Sequence, residues 1–273
     1  SKPAQAVDIW SKHAKSFGLG QFMGYDLPTG RRGSIPDSKT YKRVYPNGGW
    51  RSTTIVSNSI GQGEILMTPI QLANMMATIA NEGYYYTPHI IKRIEGHKID
   101  EKFTAKHVTT IDKKYFKPII SGLFDVYNLG TARSLRVEGI DICGKTGTSE
   151  NFAKIGGKKV QLKDHSIFVA FAPKDNPKIA IAVMVENGGY GATIAGPIAS
   201  LMIEKYLRQK ITRIDLEKRI LATSLQSEYA IFGGLSETVK LQMRISDSLL
   251  KKKTFIPTVK VKIDSTKENK KAI

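Results

Sequence analysis

Between Val137 and Val185 the chain carries three short apolar runs separated by Gly, Asp and Pro. They are Ile140-Asp141-Ile142-Cys143, Ser166-Ile167-Phe168-Val169-Ala170-Phe171 and Ile179-Ala180-Ile181-Ala182-Val183-Met184-Val185. Runs of this length between turn residues read as strands. The connection from Phe152 to Lys163 is short, basic and contains glycine, which predicts a hairpin-like antiparallel pairing. The first run passes without a break into Gly144-Lys145-Thr146-Gly147-Thr148. An amine, two hydroxyls and a glycine on one sheet edge make a site for an anion with a carbonyl beside it. The lysine is a point charge for a carboxylate or phosphate, or a proton relay. The glycine lets backbone approach a ligand closely. A Lys-Thr-Gly triplet alone arises by chance in many proteins, so its weight depends on what surrounds it.

Helical patterns flank this strand-rich core. Val7, Trp10, Ala14 and Phe17 recur at helical spacing and predict a helix over 5–17, stopped by Gly18. His13 falls off that stripe and reads as solvated. Residues 18–64 are punctuated by Gly and Pro and read as mostly irregular, a surface excursion or a functional loop. Arg31-Arg32 and Lys42-Arg43 within it read as solvated charge. Thr68, Pro69 and Gln71 form a capping box with proline at its favoured place, so a helix runs from there to about Asn81 and buries Ile70, Met75 and Ile79. Met75 and Met76 are core filler. Just upstream, Gly61-Gln62-Gly63 calls for unusual backbone conformations or close approach to something. It lacks the strand-to-helix setting of a phosphate loop. Tyr84 to Ile94 reads as a turn and a short edge strand. A second helix is predicted over 117–129 with Ile120, Leu123, Phe124 and Tyr127 inward, and a last one over 193–206 with Ile198, Leu201, Met202 and Tyr206 inward.

The composition changes from Arg208 onward. Beyond it the sequence is charged and helix-like, with a strand signal only at 254–259, and eight lysines fall between Lys251 and Ile273. The organisation expected is therefore a globular part over 1–210 and a basic extension, partly helical or disordered, over 211–273. The whole chain has 42 Lys and Arg against 24 Asp and Glu, a formal charge of +18. That balance suits an anionic partner or surface. No zinc spacing, aromatic-basic interleaving or helix-turn-helix pattern accompanies it, so no nucleic-acid partner is expected. The single cysteine, Cys143, excludes an intrachain disulfide and reads as a small buried hydrophobe. The sequence has no signal-peptide pattern and no run of about twenty apolar residues. It opens without Met directly on a helical pattern, and is expected to be part of a longer protein.

Three features in order carry a family resemblance. They are Gly61-Gln62-Gly63 with the helix after Thr68-Pro69, the Lys145-Thr146-Gly147-Thr148 strand running on into Ser149-Glu150-Asn151, and Asp164-His165-Ser166 leading into Ala172-Pro173. Over about residues 5–207 the chain resembles the penicillin-binding transpeptidases, most closely the class B, elongation-type penicillin-binding proteins of the bacterial cell wall. The fold this implies is α+β, an antiparallel sheet flanked by helices, penicillin-binding transpeptidase or serine β-lactamase-like, and incomplete here.

The resemblance implies acyl transfer from D-Ala-D-Ala stem peptides, built on the motifs S-x-x-K, S-x-N and K-T-G. Lys145 would hold the substrate carboxylate and support the S-x-N serine. Thr146 and Thr148 would hydrogen-bond that carboxylate, Gly147 would admit backbone, and the Thr148 N–H would be one oxyanion donor. The other two motifs have no counterpart at the right place. Ser248-Leu249-Leu250-Lys251 fits S-x-x-K but follows the Lys-Thr-Gly strand, and Ser149-Glu150-Asn151 fits S-x-N but is that strand's own continuation. The chain thus reads as the C-terminal part of a transpeptidase domain, inactive by itself. Stem peptide, β-lactams and the cell-wall elongation machinery are the implied partners. No cofactor or metal is implied, and the place implied is the outer face of the bacterial inner membrane. The rival readings are a D,D-carboxypeptidase or β-lactamase relative and a non-catalytic scaffold of the same fold.

Overall fold

The structure, a computed structural model, describes residues 3–232. The 254–259 strand signal and the Ser248–Lys251 match lie outside them. The chain divides into two compact units, Ser1–Leu225 and Gln226–Ile273, the second represented among described residues by a 3-10 stretch, Gln226–Phe232.

The first unit is built on an antiparallel three-stranded sheet. In chain order its elements are α1 (Pro3–Lys15), α2 (Ser38–Val44), α3 (Ser52–Val56), α4 (Pro69–Ala80), β1 (Tyr84–Tyr86), α5 (Glu101–Thr104), β2 (Lys106–Val108) and α6 (Phe116–Asn128). Then follow β3 (Cys143–Ser149), β4 (Phe152–Ile155), β5 (Lys158–Gln161), β6 (His165–Ala172), β7 (Ile179–Val185), α7 (Ala195–Arg208) and α8 (Ile214–Leu221). The main sheet has the order β3-β6-β7, so β3 is an edge. Hairpin β4-β5 turns at Gly156-Gly157 and leads β3 back into β6, as the basic connection predicts. The first strand begins only at Cys143, so Lys-Thr-Gly-Thr is the strand itself and not its exit.

Helices cover both faces of this sheet, which explains why β6 reads as a continuous apolar run. Phe168, Ala170 and Ala172 face one cluster with Ile181, Ala195, Ala199 and Ile203. Val169 and Phe171 face the other, with Met76, Cys143, Ile120 and Leu123. Phe168 and Phe171 are both fully buried, each contributing about 1.5–3 kcal/mol. The inward face of α6 is the predicted one.

Two helix faces differ from expectation. In α4 the capping box forms, with Thr68 and Gln71 bonded reciprocally, but Ile70 is exposed and Gln71, Asn74 and Thr78 are buried. The cause is a second covering layer. Gln71 Nε2 donates to the carbonyls of Gln21 and Arg32 at 2.9 and 3.0 Å, and Asn74 Nδ2 to that of Phe17 at 3.0 Å. In α7, Leu201 is buried as expected, but Met202 and Tyr206 are exposed while Ala199, Ser200, Ile203 and Glu204 are buried. Small residues let α7 lie close on the sheet, and its bulkier side chains are left to the α8 side.

Residues 18–64 hold more structure than their punctuation suggests. Asp37 caps α2 by accepting from the Thr40 N–H at 2.9 Å, and Tyr41 carries that helix into the interior. At the other end of the unit, buried Glu204 accepts from the Thr212 N–H and Arg213 Nε, both at 3.0 Å. The compact unit therefore extends past the boundary expected at 210/211.

Candidate active site

The open side of β3 gathers the residues that the sequence singles out. Side chains alternate along a strand. Cys143, Lys145 and Gly147 share the side of α4 and α6, while Gly144, Thr146 and Thr148 share the side of α7. Backbone groups alternate as well, between the neighbouring strand and the free edge. Two hydrogen bonds mark which residues turn outward. Lys145 Nζ donates to the Thr146 carbonyl at 2.8 Å, and Gln62 Nε2 donates to the Thr148 carbonyl at 3.2 Å. The N–H of Thr148 lies on the same open edge as its carbonyl. Lys145 itself is exposed, and its amine wraps around the edge to the side where Thr146 and Thr148 present their backbone.

Two neighbouring segments shape the site, and neither had a signal in the sequence. The turn after α6 brings the Thr131 hydroxyl to 3.0 Å from that of Thr146. The loop after β7 lies on the α7 side of β3. Ser166, paired with Thr148 across the sheet and fully buried, donates to the Tyr190 carbonyl at 2.9 Å and accepts from the Ala195 N–H at 3.1 Å. Asn187 accepts from Asn151 Nδ2 at 2.6 Å and donates its N–H to His165 Nδ1 at 3.2 Å. Gly191 is the point of closest approach. A Cβ there would stand 2.6 Å from the oxygen and 2.9 Å from the nitrogen of Gly147, and closer still to the Ile167 carbonyl. The backbone that approaches Gly147 here is the chain's own, and the residue that must be glycine for this is Gly191.

The third wall is the 57–64 turn. Gly61 and Gly63 both take left-handed φ, +78° and +73°, as their spacing in the sequence suggested. Behind them Asn58 Nδ2 donates to the Tyr41 hydroxyl at 2.8 Å, and that hydroxyl donates to Glu64 Oε2 at 2.7 Å. Burial, with Glu64 adding to it, pushes the Tyr41 phenol up to about 12, so it stays a neutral donor. Burial likewise pushes the Cys143 thiol up to about 12. With its Sγ 3.6 Å from the Ile120 carbonyl it is packing, not a nucleophile.

An exposed ammonium, two hydroxyls and an outward backbone N–H on a sheet edge can seat a carboxylate and pair with an extended peptide. Among the described residues no group of three or more His, Cys, Asp or Glu gathers to hold a metal.

Residues 6–204 match the family described as the penicillin binding protein transpeptidase domain. The peptidoglycan D,D-transpeptidase MrdA of Acinetobacter baumannii is 34% identical over 203 residues, 69% of this chain and 30% of that protein. Among solved structures, Pseudomonas aeruginosa PBP2 in complex with WCK 5153 is similar with a TM-score of 0.62 and 29% identity, covering 76% of this chain and 44% of that one. Helicobacter pylori PBP2 in its complex with MreC is similar with a TM-score of 0.59 and 28% identity, covering 74% and 36%. The chain spans about a third of the length of the curated relatives it matches.

Proposed function

The chain belongs to the penicillin-binding protein transpeptidase domain family, and on that premise we propose that it supplies the substrate-binding edge of a class B, elongation-type peptidoglycan D,D-transpeptidase. The observation that carries the proposal is the open edge of β3. There the Lys145 ammonium, the outward backbone of Thr146 and Thr148 and the Thr131–Thr146 hydroxyl pair converge.

In this reading the terminal carboxylate of a D-Ala-D-Ala stem sits against Lys145, Thr146 and Thr148. A serine attacks the penultimate D-Ala carbonyl. Its Oγ–C bond forms as the C–N bond to the terminal D-Ala breaks, and D-Ala leaves with the proton the serine gives up. An amine of a second stem then takes the acyl group and frees the serine. The Thr148 N–H holds the oxyanion in both steps, and losing one such donor typically costs about 2.7–4 kcal/mol. Gly147 adds no side chain on the α4 and α6 side, where a Cβ would press on Ile167 at 3.2 Å.

The serine, its lysine and the S-x-N pair are proposed to come from sequence beyond these 273 residues, consistent with a chain that spans about a third of its relatives. Residues 1–210 are assigned to the transpeptidase part. Residues 211–273 are assigned by composition to a basic extension, although Thr212 and Arg213 bond to Glu204 and the compact unit runs on to Leu225. β-Lactams would occupy the same edge as mimics of the stem. A membrane anchor and an extracytoplasmic location belong to the proposal for the whole protein, as does contact with elongation partners such as the MreC seen with Helicobacter pylori PBP2.

A fluorescent penicillin tests the proposal. The full-length protein is expected to be labelled stoichiometrically and to release D-Ala from a stem peptide, while residues 1–273 alone are not labelled. Labelling of the isolated chain would place a nucleophile within it and overturn this division. A full-length protein that takes no label would be a scaffold and not a transpeptidase.

A further inference from the structure

Gly61-Gln62-Gly63 is built to hold one side chain still. Gln62 sits between two left-handed glycines, and its N–H donates to the Ser57 carbonyl at 2.9 Å. A Cβ on Gly63 would come to 2.9 Å from both Asn58 Oδ1 and Ser57 Oγ, so the turn is closed tightly on itself. The buried Tyr41 hydroxyl, bridged to Asn58 and Glu64, locks both ends of that turn. From this support Gln62 extends its carboxamide to the Thr148 carbonyl at 3.2 Å, a contact between residues 86 positions apart. The bond closes on the open edge of β3, on the same residue whose N–H faces that edge.

We propose that Gln62 is a positioning residue for acyl transfer, holding the Thr148 peptide so that the Thr148 N–H points at the reacting carbonyl. The inference rests on the transpeptidase reading of the same edge. Its physical basis is that an edge strand has no second neighbour to hold its outward carbonyls. Without a donor at Thr148, the last turn-out of β3 before Ser149 is free to twist, and an oxyanion donor is effective only when held in place beforehand. Lys145 supplies the corresponding donor one outward residue earlier, at Thr146. Gln62 and Lys145 therefore hold successive outward carbonyls of one edge.

The test uses the full-length protein with Gln62→Met, which keeps length and removes the donor, and Gln62→Glu, which keeps shape and sets a carboxylate against the carbonyl. Penicillin acylation is resolved into the reversible binding constant and the acylation rate constant, and thermal midpoints are recorded. Gln62→Met is expected to lower the acylation rate constant about 5- to 10-fold, the worth of one neutral hydrogen bond. Gln62→Glu is expected to lower it at least as far. In both, reversible binding and the thermal midpoint stay near wild type. A wild-type acylation rate constant in both variants overturns the inference, as does a loss that only tracks a lowered midpoint. If the wild-type protein itself takes no label, the transpeptidase reading fails and this inference with it.

Discussion

Gly191→Ala places a single methyl group between two strands. Its Cβ would stand 2.6 Å from the Gly147 oxygen and 2.9 Å from the Gly147 nitrogen, and it would also press on the Ile167 carbonyl. All three are backbone atoms of paired strands, so no side chain can rotate away. Gly191 does not have a left-handed φ, so the effect is steric and not a dihedral penalty. Overpacking of this kind typically costs about 1–3 kcal/mol, and the rigid neighbours put this case at the upper end. At about 2–4 °C per kcal/mol for a unit of this size, the thermal midpoint is expected to fall by about 6–12 °C. The strain can be relieved only by moving the loop or by moving Gly147. Since Gly147 lies between the two outward residues, penicillin acylation measured well below the midpoint should also fall. The assay is a thermal melt paired with acylation kinetics on the full-length protein. A variant with the wild-type midpoint and the wild-type acylation rate would refute the close packing of this loop on β3.

Further outcomes follow from buried polar and thiol groups. Burial pushes the Glu204 carboxyl up, but the Thr212 hydroxyl and N–H and the Arg213 guanidinium outweigh it and hold the group below its ordinary 4.5. A depressed folded value means its contribution is complete above 4.5 and is lost as the pH falls through that lower value. Glu204→Gln is expected to cost about 3 kcal/mol at neutral pH and to flatten the acid limb of the stability curve, read from urea melts at a series of pH values. An unchanged acid limb would mean that the Glu204 carboxylate does not stabilise the fold. Cys143, fully buried with its thiol pushed up to about 12, should resist iodoacetamide at pH 8 in the folded protein and react on unfolding.

How much of this was legible beforehand depended on whether the determining contacts were local. The capping box at Thr68 and Gln71 is a three-residue interaction, and it forms as read. The second and third apolar runs and the short basic connection led to β6, β7 and an antiparallel order, while the first run, residues 140–143, ends where β3 begins. The orientation of α4 was not legible. Gln71 and Asn74 look solvent-facing until the carbonyls of Phe17, Gln21 and Arg32, more than 35 residues away in sequence, turn out to need donors (about one donor per buried carbonyl). Part of the inward face of α7 is hidden from the sequence for the complementary reason. Met202 and Tyr206 fit the helical spacing of an inward face with Ile198 and Leu201, but close packing on the sheet selects Ala199, Ser200 and Ile203. At the site, Lys145 to Thr148 were identified from the motif, and the unusual backbone of Gly61 and Gly63 from their spacing. Thr131, Gly191 and the partner of Gln62 were not, because each acts through a contact between segments far apart in the chain.

On the proposed reading, the open edge of β3 binds the acyl donor through Lys145. The most direct measurement is penicillin acylation of the full-length protein carrying Lys145→Ala, beside a thermal melt of the same preparation. Lys145 is exposed and bonds only along its own strand edge in the described structure, to the Thr146 carbonyl. The melt should therefore match wild type while acylation is abolished. Acylation at the wild-type rate in a folded Lys145→Ala protein would remove Lys145 from the site.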